Sequence, residues 1–227
     1  MTDPLLFSSQ MTDTAASSSL PDGQALAALV AGKLCHDFIS PAGAISSGLD
    51  LLKDPTAQDM RDDAMGLIEA SAKKMVALVA FARVAFGAST SAERFSAAEL
   101  GELVAGLTEG GRATLEWRVD GGDYSKAQAR ALVNLAYLTM AALPSGGAAV
   151  VSTERGDGLT IRGVAEGARA RLKPEAVAGL AGRPLAEGLP GQWIQPYWLW
   201  LTAHDAGGSL DTQADEGRVA LTIHMPN

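Results

Sequence analysis

Two long segments near the start of the chain carry more apolar surface than a pair of helices can hide, and that surplus limits what the chain can become. Residues 24–53 read as one helix, with a seam through Val30, Leu34, Phe38, Pro41, Ile45, Leu49 and Leu52. The steps alternate between three and four, the spacing of a bundle helix. Pro41 and Gly43 interrupt it, and an interior proline removes one backbone hydrogen bond, so a bend is expected just after His36. KDPTAQ at 53–58 is a short polar turn, and Asp59 is the expected N-cap of a second helix from about Met60 to Phe86. That helix has its own seam at Ala64, Leu67, Ile68, Ser71, Met75, Leu78, Ala82 and Phe86. It is also apolar beside the seam, at Val76, Val79, Phe81 and Val84. The economical solution is a homodimer in which two hairpins make a four-helix bundle.

The pattern then changes. GASTSAE at 87–93 is a linker by composition. Ser96 and Glu99 form a capping box before a short helix through Leu107, and ATLEWRV at 113–119 reads as a strand. Tyr124 to Leu143 reads as a helix, and strands follow at 148–154 and 159–165 around the hairpin turn Gly156-Asp157-Gly158. An irregular stretch, 167–191, precedes a helix from Gln192 to Asp205 that Gly207 and Gly208 stop, and strands at 209–213 and 218–225 close the chain. Residues 1–22 are rich in Ser, Thr, Ala and Asp, without periodicity, and read as a mobile tail within which Met11 is an alternative start. The expected organisation is an α+β fold: tail 1–22, helical hairpin 23–88, and a two-layer α/β domain over 92–227 with helices on one face of its sheet.

Composition excludes several function classes. A formal net charge of -8 and a pI near 4.9, with no run of basic residues, argue against a nucleic-acid partner. One cysteine, Cys35, rules out an internal disulfide or a Cys-rich metal site. Without a stretch of about 18 uninterrupted apolar residues or a signal peptide, a membrane span is not expected and the cytoplasm is the expected location.

The segment that carries chemistry is His36-Asp37-Phe38-Ile39-Ser40-Pro41. At about 100° per residue, His36 points away from the side occupied by Leu34 and Phe38, so its imidazole faces outward from the hairpin core. A neutral imidazole is nucleophilic near neutral pH, and a neighbouring carboxylate such as Asp37 fixes its tautomer. A lone surface histidine on a helix is otherwise ordinary. Ser40, one turn on, is either a contact for a phosphoryl group or docked partner, or a plain polar residue beside Pro41. Lys33, one turn back, either neutralises a phosphoryl group or lies on the solvated face. Cys35 reads as a small packing residue, His204 and His224 as structural, and Trp193, Tyr197, Trp198 and Trp200 as core.

The same segment resembles the H-box of the dimerisation and phosphoacceptor domain of sensor histidine kinases: His36, an acid at Asp37, an apolar residue at Phe38, and Pro41 five places after the His. The terminal run Trp198-Leu199-Trp200-Leu201, His204 and Gly207-Gly208-Ser209-Leu210 resembles the closing helix, turn and strand of the kinase ATPase domain, so the likeness covers about residues 24–227. The departures concern nucleotide binding. Asn134 falls one turn before the place of the kinase's metal-binding Asn, where Leu138 stands. Ala165-Glu166-Gly167 replaces the adenine-binding Asp-x-Gly, and Gly188-Leu189-Pro190-Gly191-Gln192-Trp193 replaces the lid glycines. A kinase-like chain without ATP machinery is similar to the ChpT family of alphaproteobacterial histidine phosphotransferases. The resemblance implies that His36, with Asp37, receives a phosphoryl group from the receiver domain of a CckA-like hybrid histidine kinase. It would pass that group to CtrA-like and CpdR-like response regulators of the cell cycle. It further implies no bound cofactor, with Mg2+ held by the partner receiver. A divergent active kinase and a non-catalytic receiver-binding scaffold are the competing readings.

Overall fold

The computed structural model describes residues 19–87 and 93–226. Most of the expected tail and linker therefore lie outside the described residues. Helix α1 (Gly23–Lys53) and helix α2 (Arg61–Ala85) form the hairpin. The Asp22 carboxylate begins α1 by accepting from the Ala25 N–H at 2.8 Å. Pro41 and Gly43 do not break the helix; Pro41 simply has no N–H for the Asp37 carbonyl one turn back. Asp59 does not cap α2, as the sequence suggested. It lies in a 3-10 turn over Gln58–Met60, and Met60 holds the cap position without a side-chain bond. Asp54 ties the connection instead, accepting from the Thr56 hydroxyl at 2.7 Å and the Thr56 N–H at 2.8 Å. Those bonds hold its carboxyl below the usual range.

The deepest positions between α1 and α2 are small: Pro41, Gly48, Ala64 and Ser71 are buried. A Cβ on Gly48 would stand 2.7 Å from Ile68 Cγ1, so the helices approach closely there. The larger seam residues Leu34, Phe38, Ile45 and Leu52 are only half-buried, and Leu49 and Leu67 are exposed. Part of the apolar surplus is met inside the chain rather than by a second copy. Phe81, Val84 and Ala85 of α2 join one core with Leu100, Val104 and Leu132, and Leu26, Leu29 and Val30 of α1 pack on Trp193, Ile194 and Tyr197. Val76 and Val79, by contrast, stay exposed.

The rest of the chain is a sheet under helices. Strand β1 (Arg94–Ser96) leads into α3 (Ala97–Thr108), followed by β2 (Ala113–Arg118), β3 (Asp123–Ser125) and α4 (Lys126–Ala141). Then come β4 (Gly147–Arg155), β5 (Gly158–Glu166), α5 (Pro174–Leu180), α6 (Pro190–Asp205), β6 (Ser209–Asp215) and β7 (Arg218–Pro226). The five-stranded sheet has the order β2-β4-β5-β7-β6, with β2 and β4 parallel and the other neighbours antiparallel. Alternate residues (Ala149 and Val151; Leu159, Ile161 and Ala165; Val219, Leu221, Ile223 and Met225) are buried on one face, where α4 lies. Gly163 lets α4 close in, since a Cβ there would collide with Thr139 Oγ1.

The Ser96–Glu99 capping box forms as expected, and an unforeseen one, Ser125 with Gln128, starts α4. Tyr124 therefore precedes that helix. It sits in the short β1–β3 ladder, its ring buried and its hydroxyl donating to the Asp120 carbonyl at 2.8 Å. Helix α5 occupies part of the stretch read as irregular. It starts with proline at its first turn and is only seven residues long, too short to show a period.

Candidate functional site

The middle of α1 presents Lys33, His36, Asp37 and Ser40 toward the junction with the α/β layer. His36 is open to solvent, its side chain 85% exposed, as its position on the helix required. Its Nδ1 lies 3.3 Å from Asp37 Oδ1. That is long for a hydrogen bond, as such contacts often are in a resting site. The other Asp37 oxygen, Oδ2, accepts from Lys33 Nζ. Lys33 is not the solvated lysine that was one of its two sequence readings. Its side chain is 9% exposed, and Nζ stands 5.5 Å from the centroid of the Tyr137 ring on α4.

Two grooves flank His36, and Tyr137 lines both. One, of about 450 Å³, is bounded by Lys33, Asp37, Leu138, Arg171 and Gln192. The other, of about 630 Å³, runs between the hairpin helices past Ser40, Pro41, Ser71 and Lys74. Lys74 Nζ donates to the Leu107 carbonyl near the end of α3. Donors from Glu175's own N–H and from the N–H of Leu189, which lines the first groove, hold the Glu175 carboxyl below the usual range. Ser40 is exposed on the wall of the second. Sequence reading did not single out Tyr137, Arg171 or Lys74. Tyr137 sits in an apolar helical run that reads as core.

Asn134 belongs to a different device. It is completely buried, and its Nδ2 donates to the Ala85 and Arg130 carbonyls, each at 2.8 Å. Its Oδ1 accepts from Gln195 Nε2 at 3.1 Å. The Ala85 carbonyl also receives the Trp198 indole N–H at 2.9 Å. The amide that a kinase-like reading would send to a metal is thus spent fastening α4 and α6 to the end of α2, and Leu138 faces the first groove. Among the described residues no group of three or more His, Cys, Asp or Glu is placed to hold a metal ion. Replacing Asn134 by Leu strands the buried Gln195 amide and removes one donor from Ala85. We expect a loss of about 1–3 kcal/mol in urea unfolding, and an unchanged midpoint would refute the fastening role.

The remaining candidates separate cleanly. Cys35 is exposed on α1, not packed. Trp193 and Tyr197 are core, their rings stacked at 4.4 Å, while Trp198 and Trp200 are half-buried. His204 stacks on Trp200 at 5.0 Å, and His224 Nδ1 lies 3.4 Å from the Thr160 hydroxyl. No helix among the described residues is long and apolar enough to cross a membrane.

Chemically, the site offers an exposed imidazole whose Nδ1 side is oriented by a carboxylate and whose Nε2 is free to attack an electrophile. Comparison with known proteins gives the family. Residues 97–218 match the family model described as the histidine phosphotransferase C-terminal domain. The chain is 30% identical over 195 residues to protein phosphotransferase ChpT of Brucella abortus (strain 2308), covering 83% of this chain and 90% of that one. Its fold is similar to the solved structure of a bacterial phosphotransferase, with TM-score 0.80 and 26% identity over 91% of this chain and 98% of that one. The chain belongs to the histidine phosphotransferase family.

Proposed function

We propose that His36 carries the phosphoryl group between receiver domains. The observation that carries this reading is the exposed His36 ring with Asp37 Oδ1 at its Nδ1. In the accepting step Nε2 forms a bond to phosphorus in line with the departing oxygen, and the P–O bond to the donor's aspartate breaks and restores its carboxylate. The positive charge that develops on the ring is balanced by Asp37 accepting from Nδ1–H. The reverse sequence delivers the group to an aspartate on a second receiver. Mg2+ belongs to the receiver, so this chain needs no resident cofactor. The donor we favour is a CckA-like hybrid-kinase receiver and the acceptors CtrA-like and CpdR-like regulators, in a cytoplasmic relay of cell-cycle control. The exposed apolar stripe of the hairpin supports a homodimeric four-helix bundle.

The commitment of the Asn134 amide and the place of Leu138 support a relay that does not use ATP. The test offers the protein two labelled donors, a phosphorylated receiver and ATP with Mg2+. Label is expected from the receiver alone, and calorimetric titration with ATP is expected to show no binding. Labelling from ATP would convert the reading into that of an active kinase; labelling from neither would leave only a scaffold.

A further inference from the structure

Burial rises in steps across the site, from His36 at 85% exposure through Asp37 at 24% to Lys33 at 9%. A lysine is rarely hidden this far without a partner. Lys33 has two: Asp37 Oδ2 and the face of Tyr137. The sequence order also matters. A lysine four residues before an acid is the less favourable arrangement on an isolated helix. Helix stability alone therefore gives little reason for the pair, whereas the cover from α4 gives a good one. Tyr137 is itself set by the hairpin, its ring 5.4 Å from that of Phe81 on α2.

We propose that Lys33 is a positioning residue for phosphoryl transfer, and that the α/β layer acts on His36 through it. Tyr137 holds the Lys33 ammonium in place over the helix. The ammonium holds Oδ2 of Asp37, which turns Oδ1 toward His36 Nδ1. The imidazole is thereby kept with its proton on Nδ1, so that the lone pair on Nε2 faces solvent. A domain with no nucleotide chemistry of its own would then still govern how well the histidine accepts and donates. This rests on His36 being the acceptor.

The test compares the full-length wild type with Lys33→Met, which keeps the apolar stem and loses the charge, with Lys33→Arg, and with Tyr137→Leu. Two readouts are taken: the ¹⁵N resonances of the His36 ring, which report its tautomer, and the rate of label transfer from a phosphorylated receiver. We expect Lys33→Met to shift the neutral ring toward the Nε2–H form and to slow transfer about tenfold, part of the effect a positioned proton acceptor supplies. Lys33→Arg should restore both, and Tyr137→Leu should move both in the direction of Lys33→Met. A folded Lys33→Met protein with wild-type tautomer and rate overturns the proposal. If Lys33→Met does not fold, Tyr137→Leu decides: unchanged tautomer and rate refute it. Failure of the underlying reading looks different, because the wild type itself would then take no label on His36, whatever the tautomer shows.

Discussion

Replacing His36 by Ala abolishes the acid-labile, alkali-stable label acquired from a phosphorylated receiver, and leaves the fold intact. Both halves of this expectation come from the same geometry. The ring is 85% exposed and its one polar contact is Asp37 at 3.3 Å, so its removal takes no buried surface and strands no buried group. The change in unfolding free energy should stay within about 0.5 kcal/mol, the range of ordinary surface substitutions. The loss of label should be complete because no other histidine stands in an equivalent setting. His204 lies with its ring stacked on Trp200, and His224 faces Thr160 across the β5–β7 pair. Chromatographic phosphohistidine analysis beside thermal unfolding separates the outcomes. Retained label in a folded His36→Ala protein would move the acceptor elsewhere; lost label with lost folding would leave the role of the ring undecided by this variant, and His36→Gln would then be compared for its bulk.

How much of this was legible in the sequence depended on the range of the interactions concerned. Helix period exposed α1 and α2 to within a residue or two, and the same 100° arithmetic put His36 outside the hairpin core. Local capping chemistry gave the start of α3 at Ser96. What escaped was set by contacts distant in the chain. Lys33 had two sequence readings, neither of them burial, because Tyr137, which covers it, is about a hundred positions away. Asn134 was read only as a displaced metal ligand, whereas its place is fixed by Ala85 and Gln195 from two other elements. Asp59 failed as a cap because it lies inside the 3-10 turn Gln58–Met60, which leads straight into α2 and leaves Met60 at the cap position. The β1–β3 ladder is three residues deep on each side, which no alternation pattern can register.

The largest structural effect we expect beyond the acceptor itself comes from Val76→Glu, which should turn the proposed dimer into monomers. Val76 and Ile39 are each 70% exposed, and on α2 the exposed residues Met65, Ala72, Val76 and Val79 follow one another at steps of seven, four and three. Such spacing makes a continuous stripe along the flank of α2, roughly a right angle around the helix from Ala64, Ser71 and Ala82, which are buried. A single chain gains nothing by carrying it. In a twofold bundle the stripe is buried, and each substitution counts twice. Forfeiting the burial of one valine costs about 1.5–3 kcal/mol per copy, and an uncompensated carboxylate at the seam adds to that. The pair of changes should weaken association by a factor of at least about 10²–10⁴, at about 1.4 kcal/mol per tenfold. Light scattering on the eluting protein at tens of micromolar gives the mass directly. A Val76→Glu protein with the wild-type dimer mass would remove this stripe from the interface, and a monomeric wild type would end the four-helix reading. If the monomer forms and still accepts label at the wild-type rate, one hairpin suffices to dock a receiver. If the rate falls with association, the docking surface beside His36 is built from both copies.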